Sequence, residues 1–234
     1  MSMRIEFTKE METLHNDMIR LGSLVETALG SANQALVNYD QDLCDQVIAK
    51  DDIIDQATMQ INKACVLLIA RQQPVASDLR DITSNLKLIT DLERMGDHAE
   101  DICMHTRRMI AGDYKLPIPS DLNQMFEQCR KMTSAALDAY VTRDREKALA
   151  VIKMDDLVDN LYAFVYSELV RSMKDDTRNI EGYLNLLMIA KHVERCADHA
   201  ENVAEWVIYY LEGAFDFFEE EKQAKAESAE QESV

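Results

Sequence analysis

The sequence predicts an all-α protein built as two tandem, pseudo-repeated three-helix bundles, and three observations predict it. Glycine and proline are scarce, six and three residues in 234, so long stretches run without the punctuation that ends helices. Apolar residues recur at three- and four-residue intervals, the stripe of an amphipathic helix. The chain also repeats itself. Leu92–Cys103 (LERMGDHAEDIC) returns as Val193–Ala204 (VERCADHAENVA), identical at six of twelve positions, and Lys50–Asp55 (KDDIID) returns as Met154–Asp159 (MDDLVD). The offsets are 101 and 104 residues, which defines two copies of one unit and so sets the architecture before any single element is assigned.

The elements follow in order. Helix 1 is expected from about Arg4 to Tyr39, striped by Leu14, Met18, Leu21, Val25, Ala28, Ala32 and Ala35. Asp40 is the N-cap candidate for helix 2, which runs to about Gln72 with Val47, Ile54, Ile61 and Leu68 seven residues apart; a short acidic side chain at that position accepts from the first free backbone N–H groups. Pro74 breaks the chain, and helix 3 runs from Ser77–Asp78 to about Ala111. Gly112–Asp121 (GDYKLPIPSD) holds two of the three prolines and reads as a linker. Helix 4 covers about Leu122–Val141, Asp144 caps helix 5, which runs to about Lys174, and helix 6 runs from about Thr177 to Phe217. Asp40 and Asp144 lie 104 apart, as do Val47 and Val151, Ile48 and Ile152, Asp51 and Asp155, Asp52 and Asp156, and Asp55 and Asp159. The domain reading is therefore a first bundle over residues 1–111, a linker at 112–121, a second bundle over 122–218 and an acidic, disordered tail at 219–234.

Composition narrows the function. A net charge of −18 argues against nucleic acid, whose phosphates select basic surfaces, and against an anionic membrane surface. Metal cations or basic protein surfaces are better matched. The first residues lack the apolar core of a signal peptide, and the longest apolar run, Ala64–Ala70, is too short to span a bilayer. A soluble, cytoplasmic protein without membrane insertion is expected. Five scattered cysteines with no CxxC pair read as reduced, buried thiols.

The repeated acids carry the chemistry. In helix 3 the stripe Leu79, Ile82, Leu86, Ile89 continues onto Glu93, Asp97 and Asp101, and in helix 6 Ile180, Leu184 and Leu187 lead into Glu194, Asp198 and Asn202. Asp51 falls in register between Val47 and Ile54 on helix 2. Seventeen residues separate Asp55 from Gln72 and Ala76 from Glu93. Both arms are thus about 25 Å long, and an antiparallel turn at Pro74 returns Glu93 beside Asp55 and Asp97 beside Asp51. The second half places Asp155 and Asp159 opposite Glu194 and Asp198 by the same measure. Carboxylates gathered on facing, partly buried helices repel and resist desolvation. Arg94 and Arg195 project about 100° from the motif glutamates, which leaves cations as the expected partners. All-oxygen ligand sets suit Mg²⁺, Mn²⁺, Ca²⁺ or iron, and carboxylates at this spacing bridge two ions.

Other readings are weaker. His98 and His199 follow the motif aspartates directly and point off the carboxylate face, so a polar or packing role is expected. Asp52 and Asp156 sit one residue off that face. A di-iron oxidase bundle needs Glu-x-x-His on two helices. The only such pattern is Glu12–His15, unrepeated and far from the acids, and reads as a surface pair. No nucleophile–base pair or phosphate-binding glycine loop is present, so no enzymatic activity is expected. A plain helical scaffold with its acids neutralised by Arg and Lys is the other alternative.

With these motifs in hand, the chain resembles the PhoU family of phosphate-signalling regulators. The resemblance rests on Ala76–Arg80 (ASDLR), LERMGDHAEDI at 92–102, VERCADHAENVAE at 193–205, KDDIID and MDDLVD, and covers about residues 1–218. It implies multinuclear metal clusters, of iron or another hard cation. The first is carried over to Asp51, Asp55, Glu93, Asp97 and Asp101, the second to Asp155, Asp159, Glu194, Asp198 and Asn202. Asn202 replaces the aspartate that the first half has at Asp101, so the second cluster is expected to hold fewer ions or hold them less tightly. Cys196 stands where an aliphatic residue is usual. The resemblance further implies a homodimeric, cytoplasmic negative regulator of the phosphate-starvation response and of phosphate uptake. Its implied partners are the ATP-binding subunit of a phosphate transporter and a sensor histidine kinase.

Overall fold

A computed structural model describes residues 2–213, six long helices with no strand among them. They are α1 (Ser2–Asn38), α2 (Gln41–Gln72), α3 (Ser77–Ala111), α4 (Ser120–Thr142), α5 (Arg145–Asp175) and α6 (Ile180–Glu212). The tail 219–234 and the expected extension of helix 6 to Phe217 lie outside the described residues. Within them, α6 closes at Gly213, whose φ of 77° gives the left-handed C-cap that glycine adopts without a Cβ penalty. Its start also differs from expectation, because Thr177–Asn179 form a separate 3₁₀ turn.

Both predicted aspartate caps form. Asp40 accepts from the Leu43 N–H at 3.0 Å, and Asp144 from Glu146 and Lys147 at 3.0 and 3.2 Å. The residues before them, Tyr39 and Arg143, also lie 104 apart and share a left-handed backbone, φ 51° and 53°. Repetition therefore extends to the conformation of the tight turns. Such short connections force neighbouring helices antiparallel, and each half closes as three mutually packed helices.

The two halves are not beads on a string. The most extensive helix contact joins α3 to α6, α4 also packs on α6 and more lightly on α1, and the buried side chains form one continuous cluster. Along α3 and α6 the contacts run in opposite directions: Asp91 meets His199, Met95 meets Cys196, His98 meets His192 and His105 meets Asn185. Leu88, Leu92, Met95, Ala99 and Ile102 of α3 and Leu186, Ile189, Ala190, Val193, Ala197 and Ala200 of α6 are buried. At about 1.5–3 kcal/mol for each large apolar side chain removed from water, this apolar packing is what makes the pair of helices the centre of the molecule.

The stripe read for helix 6 needs correction. Ile180 and Leu184 are exposed and Leu187 is only partly buried, while Leu186, Ile189 and Val193 face inward. Both sets satisfy helical spacing; the second bundle and the α3 contact selected the other face. The segment between α3 and α4 is held in place rather than slack. Tyr39 donates to the Leu116 carbonyl at 2.6 Å, Tyr114 donates to Glu181 at 2.7 Å, and Leu116 is buried. A Cβ at Gly182 would come within 2.8 Å of both Leu116 and Tyr114, so the bare glycine lets this connection lie against α6. All five cysteines are free and buried.

Candidate functional site

The antiparallel α2–α3 hairpin brings Asp51 and Asp55 against Asp97, with one carboxylate oxygen from each inside a mutual distance of 4.8 Å. The α5–α6 hairpin does the same for Asp155, Asp159 and Asp198. Gly96 is part of the reason α2 and α3 lie this close. A Cβ there would stand 3.1 Å from two Ile54 side-chain atoms and 3.3 Å from Asp51 Oδ1. Register along the hairpin follows the arm lengths, since Glu93 feels the charges of Asp97 and Asp55, and Asp51 those of Glu100, Asp55, Asp97 and Asp52.

The electrostatics record the crowding. Burial, followed by Glu100, Asp55 and Asp97, raises the Asp51 carboxyl to about 7. Burial, followed by Glu194 and Asp159, raises Asp198 to about 6. Glu93 and Glu100 are raised as well, by burial first and neighbouring carboxylates second. A half-buried carboxyl that holds its proton near neutrality amid other acids is a site with a deficit of positive charge. Both trios offer only hard oxygen donors, so they fit the cation chemistry expected of them: Asp51, Asp55 and Asp97 would hold one group, Asp155, Asp159 and Asp198 the other, with Glu93 and Glu194 adjoining.

Several expectations are changed. Asp101 is not part of the first trio. It points to the contact between the halves, with Oδ2 3.8 Å from His98 Nδ1 and 3.5 Å from His192 Nδ1. Asn202 is likewise outside the second trio and donates to Asp91 Oδ1 at 3.1 Å. The reason is helical geometry: a residue eight positions after the motif glutamate has rotated about 80° from it, whereas one seven positions on has rotated only about 20°. Glu100 and Glu201 occupy those seventh positions, and their charges reach Asp51 and Asp198 respectively. The sequence reading missed both, although seven-residue spacing from Glu93 and Glu194 was the available signal. Arg94 also behaves differently from expectation. It reaches Asp97 at 3.0 Å across one i,i+3 step, on the solvent side. In the second half Lys191 bonds Glu194 at 2.6 Å. Protein cations therefore offset part of each cluster.

His98 and His199 leave the carboxylate face, as expected, and meet at the α3–α6 contact. With His105 and His192 they form a row of rings whose neighbouring centroids lie 5.2–5.6 Å apart. Burial, then the adjoining histidines and Arg195, pushes His98 down to about 4, so it is neutral at pH 7. His15 is not a bare surface residue: its ring stacks on Tyr140 at 5.1 Å, beside Asn85, which accepts from the Tyr140 hydroxyl at 2.7 Å. Among the described residues no helix is long and apolar enough to cross a membrane.

Known proteins share this fold. Residues 18–106 and 122–207 each match the PhoU domain. The chain is 38% identical over 208 residues to the phosphate-specific transport system accessory protein PhoU homolog of Clostridium acetobutylicum, covering 88% of this chain and 94% of that one. It is 32% identical to the phosphate-specific transport system accessory protein PhoU of Escherichia coli, covering 89% and 86%. The crystal structure of PhoU from Pseudomonas aeruginosa superposes with a TM-score of 0.86 at 36% identity, over 89% of this chain and all of that one. The phosphate transport system regulatory protein PhoU from Streptococcus pneumoniae gives 0.83 at 30% identity, over 89% and 98%.

Proposed function

The chain belongs to the PhoU family, and from that premise we propose that it is an accessory regulator of a phosphate-specific transport system, acting by protein contact and without catalytic turnover. The finer reading is a negative regulator of the phosphate-starvation response. It links the transporter's ATP-binding subunit to a sensor histidine kinase in the cytoplasm, and works as a homodimer. The observation that carries the reading is that both PhoU domains preserve a carboxylate trio at the same place in the hairpin. Trios on facing helices supply an adaptor with what it needs: when cations occupy them, α2 is tied to α3 and α5 to α6, so the surface offered to partners is preorganised and less ordering entropy is lost on binding.

One alternative has specific support. The Arg94–Asp97 and Lys191–Glu194 pairs favour a scaffold whose acids are neutralised from within, needing no metal. Metal content of the mildly purified protein separates the two. The regulatory reading is tested by deleting the gene and following a phosphate-repressed reporter, such as a secreted phosphatase, in phosphate-rich medium. The reporter is expected to stay on in the deletion strain and to be silenced by the restored gene, with the ATP-binding subunit or the kinase recovered on the tagged protein. A reporter that remains off, with neither partner recovered, rules the assignment out.

A further inference from the structure

Two polar sets flank the buried Met95–Cys196 crossing of α3 and α6, and they differ. The 101-residue offset of the repeat pairs Asp91 with His192, His98 with His199 and Asp101 with Asn202. On one side Asp91, His199 and Asn202 form a closed hydrogen-bonded set, with His199 Nδ1 2.9 Å and Asn202 Nδ2 3.1 Å from the same Asp91 oxygen. On the other side the same three positions carry two imidazoles and a carboxylate. His98 Nδ1 and His192 Nδ1 face each other at 3.3 Å, and Asp101 Oδ2 lies 3.5 and 3.8 Å from them. One ring can donate an Nδ1 proton to the other's Nδ1 lone pair, but at 3.3 Å that bond is longer than the usual range. His98 is 5% exposed and its Nε2 has no partner. That orphan is the other ring nitrogen from the one turned to the cluster; what points to a ligand is convergence, with Nδ1 of both imidazoles and the Asp101 carboxylate brought from two helices to one space.

We propose that His98, Asp101 and His192 form a third cation site, separate from the two carboxylate trios, that takes a borderline transition-metal dication such as Zn²⁺ and ties α3 of one half to α6 of the other. Four ligands around a tetrahedral zinc at about 2.0–2.1 Å are separated from one another by about 3.3–3.4 Å. The triangle of 3.3, 3.5 and 3.8 Å is one face of that tetrahedron, needing a contraction of a few tenths of an ångström. Two nitrogens in the set favour zinc, nickel or copper over magnesium or calcium. Asp101 is 44% exposed on its side chain while His98 and His192 are 7% and 12%. An ion therefore enters from the aspartate side, and a water from there completes the fourth position. His105 sits beside His192, ring centroids 5.6 Å apart, and is itself anchored on Asn185 at 2.8 Å, which restrains the His192 ring.

The test is a Zn²⁺ titration of the full chain against a chromophoric competitor in millimolar Mg²⁺, which occupies hard-oxygen sites. One Zn²⁺ per chain is expected to resist Mg²⁺, to survive Asp51→Asn with Asp55→Asn, and to weaken at least tenfold in His192→Gln. The double variant His192→Asp with Asp101→Asn copies the trio that the other side already uses, so it keeps the helical circular-dichroism spectrum while losing the zinc. In the Cu²⁺-loaded protein, electron paramagnetic resonance should show coupling to two imidazole nitrogens, and to one in His192→Gln. Absence of Mg²⁺-resistant zinc, or zinc lost with Asp51 and Asp55 but kept in both His192 variants, overturns the proposal. Neither result bears on the phosphate-regulatory reading, which does not require this site.

Discussion

Replacing Asp51 by asparagine should stabilise the metal-free protein and weaken the metal-loaded one, and the opposite signs separate a cation site from a surface acid. Asp51 is raised from 3.8 to about 7, by burial first and then by Glu100, Asp55 and Asp97. For a group whose folded-state value is raised, the stability it confers is complete below its unfolded value and is lost as pH climbs through the folded one. The metal-free protein is therefore expected to lose stability between about pH 4 and pH 7, then level off. At about 1.36 kcal/mol per unit the ceiling is roughly 4 kcal/mol. Half-burial and solvent screening reduce that to about 1–2 kcal/mol at pH 7.5. Asparagine removes the ionisation, and for a chain of this size each kcal/mol moves Tm by about 2–4 °C. Chelator-treated Asp51→Asn should thus melt roughly 2–8 °C above the parent at pH 7.5 and level with it near pH 4. With divalent cation added the order reverses, because one oxygen ligand has lost its charge. Differential scanning calorimetry with and without chelator reads both arms. If asparagine stabilises equally in either condition, or cation leaves the parent's Tm unmoved, then the trio is neutralised from within and the metal argument fails.

Two further outcomes follow from the geometry. Asp40→Ala and Asp144→Ala each remove an N-cap and should cost about 1 kcal/mol in urea unfolding. The caps lie in separate halves, so the double variant should be additive within a few tenths of a kcal/mol, and a large deviation would show the caps coupled through the shared core. Gly96→Val places a side chain 3.1 Å from Ile54 and beside Asp51. It should force α2 away from α3, lowering metal content in the first half while leaving the second intact, as read by metal analysis with the second trio removed (Asp155→Asn with Asp159→Asn) and, separately, with the first removed (Asp51→Asn with Asp55→Asn). Unchanged metal content in Gly96→Val would mean the helices have room to spare at that crossing.

The architecture was legible because its signals are local or repeated. Caps at Asp40 and Asp144, the break at Pro74 and the stripes of helices 1 and 2 depend on residues within a turn or two, and a repeat doubles each signal. The pairing of Asp51 and Asp55 with Asp97 was also within reach, since equal arm lengths from one turn set the register of an antiparallel hairpin. Local information failed where two faces of one helix were equally apolar. Ile180 and Leu184 satisfied the spacing on α6 but lie outward, since α3 claimed the face carrying Leu186, Ile189 and Val193. The fate of Asp101 and Asn202 was decided in the same place. Both fit a four-residue ladder, yet the packing of α3 on α6 turns them toward the other half, and Glu100 and Glu201 take the positions nearer the trios. The sequence by itself determined six helices, two copies of one hairpin and two sets of facing acids, because these follow from helical periodicity and chain reversal. Only the tertiary structure could join His98 to His192 across 94 residues, since the contact between halves depends on which surfaces remain after each bundle has closed.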